Sequence, residues 1–154
     1  MRARMRLHVG AFGIALVAPL GWVLLLYRDR WMEVDLRMAA FALPGVAAAQ
    51  IAALLRWPAL ARRALDGRAG WPSGLGMASI THVLFGVFVA LGLFLVTGPR
   101  AWLAESSLWA LIPQALFFTL ASLGACGIVT FVATALLARH VATRHREELA
   151  HDRS

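Results

Sequence analysis

Charged residues along the chain are confined to short segments, and long uncharged runs separate them. Four such runs stand out: 7–27, 36–55, 76–97 and 108–138. Each reaches the roughly 20 residues needed for a helix to cross about 30 Å of hydrocarbon. The fourth is longer and is expected to tilt or to project beyond the bilayer. The pattern predicts an all-α integral membrane protein in one domain over residues 1–154. Its four transmembrane helices would form an antiparallel bundle.

Arg2, Arg4 and Arg6 before the first run suggest a signal peptide. An h-region is usually about 7–15 residues long, whereas this run is about 20. No small-residue cleavage site precedes "YRDR". The first run therefore reads as a retained span.

Composition agrees with this architecture. Hydrophobic residues make up 60% of the chain, against roughly 45–50% in a soluble domain. All 15 basic residues are arginine, which reads as the coding bias of a GC-rich genome. A net charge of +7 raises the prospect of a nucleic-acid partner. The arginines stand at the ends of the apolar runs, however, and so read as span anchors, with no nucleic acid as partner.

Arg2, Arg4, Arg6, Arg56, Arg62, Arg63, Arg68, Arg139, Arg144, Arg146 and Arg153 fall on one side of the predicted topology. Arg28, Arg30, Arg37 and Arg100 fall on the other. The positive-inside rule then places both termini in the cytoplasm of a bacterial inner-membrane protein. All six tryptophans lie near span ends, as an interfacial belt requires.

The segment 56–75 reads as a cytoplasmic loop, punctuated by Trp57-Pro58 and Trp71-Pro72. Between them "ALARRALDGR" fits a short amphipathic helix. Its arginines (with Arg56 these are Arg62, Arg63 and Arg68) would contact the anionic inner leaflet, each contributing about 1 kcal/mol. Contact with a cytoplasmic partner is the alternative. The tail 139–154 reads as a solvated helical extension, and its histidines His140, His145 and His151 do not share one helical face.

Small residues recur at multiples of four residues: Gly45, Ala49 and Ala53 in the second run, and Ala78, Gly86 and Ala90 in the third. Such stripes let helix backbones approach closely. They predict a tight bundle and a homo-oligomer or a membrane partner protein.

The polar residues within the runs are few. Gln114, Ser122, Thr130 and Thr134 lie at multiples of four, and Phe118 and Cys126 complete the stripe. Polar groups avoid lipid, so this stripe is expected to face protein or water. Gln50 is six residues from Arg56, and His82 is about six residues inside its own run. At 1.5 Å per residue both lie about 9 Å deep. Gln50, His82, Thr130 and Thr134 are thus expected to converge in one intramembrane polar cluster.

The chemistry available to this set is limited. All eight acidic residues lie outside the spans, which disfavours a transporter built on an intramembrane carboxylate. Ser-His-Asp and HExxH constellations and nucleotide-binding glycine motifs are absent. A membrane b-haem needs two axial histidines, and His82 alone lies deep, His8 and His140 being shallow. One cysteine excludes an internal disulfide and a cysteine metal site. No catalytic residues, metal ligands or cofactors are expected.

The leading expectation is a small non-catalytic membrane protein that acts by self-association or as a subunit of a larger complex. A transporter or pore subunit lined by Gln50, His82 and the fourth-helix stripe is the first alternative. A haem- or quinone-linked redox anchor is the second.

Overall fold

A computed structural model of the chain describes residues 2–26, 42–98 and 108–152. Four long helices account for nearly all of them: α1 (Arg2–Leu26), α2 (Ala42–Leu65), α3 (Trp71–Thr97) and α4 (Leu111–His151), with a single 3-10 turn at Leu108–Ala110 leading into the last. Three of them, α2, α3 and α4, are long and apolar enough to cross a membrane.

The helices alternate in direction. His8 of α1 meets Gln50 of α2, and Gly45 of α2 faces Phe85 of α3 and the Ala15 carbonyl of α1. Gly74 of α3 lies on Thr134 of α4, and Gly86 lies on Ala115 and Thr119. Arg6 of α1 pairs with Glu148 of α4. Each helix therefore runs antiparallel to its two neighbours, and α1 closes the ring against α4.

The α3–α4 seam is the most extensive contact. Gly70, Gly74, Ala78, His82, Gly86 and Ala90 are all buried and recur every four residues. A methyl group on Gly74 or Gly86 would overlap backbone atoms of α4. The seam is thus backbone against backbone, the close approach that small residues permit. His82 is the only large side chain in this row.

The segment 56–75 is not a loop. Helix α2 continues through Trp57-Pro58 to Leu65, and α3 begins at Trp71 rather than near residue 76. The turn between them spans only residues 66–70, with Gly67 at φ +69°. Two facts explain the difference. Pro72 sits in the first turn of α3, where its missing N–H costs nothing. Leu60 and Ala64 are buried with Ala3, Leu7, Val141 and Ala142, and this packing offsets the cost of Pro58 inside α2. The expected amphipathic helix exists, but as the last turns of α2.

The tail is helical to His151, and one face of it is packed while the rest is exposed. Val141 and Ala142 are buried, the His145 ring lies 5.5 Å from that of Trp57, and Arg146 donates to the Arg68 carbonyl at 2.8 Å. At 41 residues, α4 is about 60 Å long. The predicted beginning of the second span at Leu36, and Arg28, Arg30, Arg37 and Arg100, lie outside the described residues.

Candidate functional site

Where the four helices meet, small side chains leave a cavity of about 130 Å³. Helices α1 and α2 line it mainly with alanine and glycine, including Ala11, Ala15, Gly45 and Ala49. Helix α3 contributes Met77, Thr81, His82 and Phe85, and α4 contributes Ser122, Cys126, Thr130 and Thr134. The row of four-residue spacings on α4 thus faces the interior for most of its length.

His82 is 4% exposed. Its Nδ1 lies 2.9 Å from the Ser122 Oγ, and its ring stacks on Phe131 with centroids 6.0 Å apart. Ser122 has one hydroxyl hydrogen, which it donates to the Thr119 carbonyl at 2.9 Å. The hydrogen between His82 and Ser122 therefore comes from the imidazole. With the Ser122 hydrogen so placed, the His82 proton is assigned to Nδ1 and its Nε2 is left bare. That Nε2 is buried and has no hydrogen-bond partner among the described residues.

Gln50 does not join this group. Its Oε1 lies 2.8 Å from the His8 Nδ1, and its Nε2 donates to the His8 carbonyl at 3.0 Å. Depth along the helix gives an expected height for Gln50 but not its direction. Ala49 and Ala53 face the interior, and Gln50, about 100° around the helix from Ala49, turns to α1. Gln114, at the far end of the α4 row, is half-buried, and its Oε1 has no partner among the described residues. The structure therefore brings His82, Ser122, Cys126, Thr130 and Thr134 together and leaves Gln50 and Gln114 apart.

Of the four arginines expected at a lipid or partner surface, Arg62 and Arg68 are exposed. Arg63 is half-buried, and the Arg56 guanidinium lies over Gly76. A groove of about 510 Å³ at the same end is lined by Trp71, Arg139, Thr143, Arg146 and the turn glycines Gly67 and Gly70. In the sequence Arg139 and Arg146 mark only topology. The spacing 139, 143 and 146 is the signal that places them on one face.

The His82–Ser122 bond is expected to couple the two residues by about 0.6 kcal/mol, the average for hydrogen bonds between membrane helices. A double-mutant cycle of His82→Leu and Ser122→Ala in detergent unfolding measures it. A coupling of zero would mean that the bond does not form.

Among the described residues no three His, Cys, Asp or Glu side chains group as metal ligands would. No protein-family model, curated protein or solved structure matches the chain.

Proposed function

We propose that the protein is a four-span component of the bacterial inner membrane, with both termini in the cytoplasm. It acts without catalysis, by self-association or as the membrane subunit of a larger complex. The arginine distribution supports the orientation. A broad apolar exterior supports insertion: Ile112, Leu116, Phe117, Leu120, Ile128, Val129, Val132 and Leu136 of α4 are all exposed, more than a soluble surface tolerates.

The observation that carries the association reading is the packed Arg-rich end. Turns of α1, α2 and α4 lock there through buried Leu7, Leu60 and Val141, the Trp57–His145 contact, the Arg146–Arg68 bond and the Arg6–Glu148 pair. This is an ordered platform, with Arg2, Arg4, Arg62 and Arg144 exposed on it. A rigid charged surface suits docking, because little entropy is lost when it binds. The groove with Arg139 and Arg146 suits the head group of an anionic lipid.

Crosslinking in native membranes tests the reading. The expected result is a discrete oligomer or a defined co-purifying partner, weakened at least several-fold by the double variant Arg62→Glu and Arg144→Glu. A chain that crosslinks only as monomer, with no partner, would contradict it.

A second reading, a transporter or pore subunit, is favoured by one observation: His82 and four residues of the α4 row line a single cavity. It predicts that His82→Leu abolishes flux in reconstituted vesicles while the bundle stays folded. Unchanged flux, or none from the unaltered protein, would exclude it.

A further inference from the structure

We propose that the cavity at the four-helix junction binds a small, uncharged, apolar molecule bearing one hydrogen-bond donor, of about the size of a phenol ring. The inference goes beyond the association reading and does not depend on it.

Size comes first. The cavity measures about 130 Å³, close to the roughly 150 Å³ apolar cavities that hold a single benzene ring. Its walls are mostly aliphatic, and the alanines of α1 and α2 with Gly45 create the space.

Polarity decides the chemistry. Thr81 donates its hydroxyl hydrogen to the Met77 carbonyl, Thr130 to that of Cys126, and Thr134 to that of Thr130. Ser122 donates to Thr119, and His82 donates from Nδ1 to Ser122. Every one of these side chains has spent its hydrogen, so what each offers the cavity is a lone pair. The Cys126 thiol remains as a weak donor. The His82 Nε2, in a side chain more than nine-tenths buried, is an acceptor with no partner among the described residues. A buried acceptor of this kind is costly until a donor meets it.

The matching ligand therefore brings an O–H or N–H. It is uncharged, because no carboxylate among the described residues lines the cavity and an unpaired cation there would lose its hydration without compensation. It is otherwise apolar, to suit the walls.

The chain supplies its own reporter. Cys126 is the single cysteine, it lines the cavity, and it is only partly buried. The experiment measures the rate at which a small methanethiosulfonate reagent labels Cys126 in the full-length protein in native membranes. Phenol and anisole are compared at matched membrane concentrations, because they differ in the hydroxyl hydrogen. Phenol is expected to slow labelling with half-maximal protection at about one-tenth the anisole concentration, the factor one buried hydrogen bond supplies. In His82→Leu that preference is expected to vanish while unprotected labelling continues. The phenol–anisole comparison in the unaltered protein stands even if that variant fails to fold. Absence of protection, equal protection by both compounds, or a Cys126 that does not react at all would each overturn the proposal.

Discussion

Gly74→Leu and Gly86→Leu are each expected to collapse the folded bundle, and the corresponding alanine variants each to lose about 1–3 kcal/mol, the range for overfilling a packed interior. The first atoms that a side chain at Gly74 would meet are the Thr134 carbonyl and the Ala135 backbone, and at Gly86 they include the Ala115 carbonyl. Helix backbone cannot swing aside as a side-chain tip does. The α3–α4 seam must open, and opening it exposes His82 and the threonines to lipid, where polar groups are costly. Gly10 is the intermediate case, since a methyl there meets the flexible end of Leu137, and Gly10→Ala is expected to cost less. Gly13 and Gly124 have open space around them. Gly13→Ala and Gly124→Ala are expected to hold or raise stability by up to about 1 kcal/mol, through helix propensity alone. Unfolding of each variant in mixed micelles, followed by circular dichroism, measures the series. Equal effects at Gly74 and Gly13 would remove the close-packed seam.

Leu60→Ala is expected to cost about 2–5 kcal/mol, the range for truncating a buried leucine, and to release the Arg-rich end. Leu60 is 2% exposed and packs with Leu7, Ala64, Val141 and Ala142. Its loss unseats α2 from α1 and α4 just where Trp57 meets His145. Trypsin reads the outcome directly. In the intact protein Arg146 is tied to the Arg68 carbonyl and Arg63 is half-buried, so cleavage at both is expected to be slow. In Leu60→Ala cleavage at both is expected to accelerate at least tenfold, because local opening governs proteolysis. Unchanged cleavage would mean that the end is held by something other than this core.

The helices were legible in the sequence because apolar runs of membrane-spanning length are a strong signal, and the interior row of α4 because polar groups every four residues need shelter. Two features escaped for identifiable reasons. Trp57-Pro58 and Trp71-Pro72 look alike in sequence, but the first lies inside a helix rescued by Leu60 packing and the second begins one. No local rule separates them, since the decision is tertiary. Gln50 and His82 were matched by depth, and depth leaves the direction of a side chain open. The neighbour that captures Gln50 is His8, a residue that the sequence places at the shallow cytoplasmic interface. The bare Nε2 of His82 was also out of reach, because it follows from where the Ser122 hydrogen goes.

The proposed bundle crosses the membrane four times with its Arg-rich end in the cytoplasm. Single cysteines introduced at Arg4, Gly67, Gly98, Trp109 and His151 in a Cys126→Ser background test it most directly, when labelled from each side with a membrane-impermeant maleimide. Labelling of positions 4, 67 and 151 from the cytoplasmic side only, and of 98 and 109 from the opposite side only, is the predicted result. Positions 4 and 67 labelling from opposite sides, or all five from one side, would contradict it.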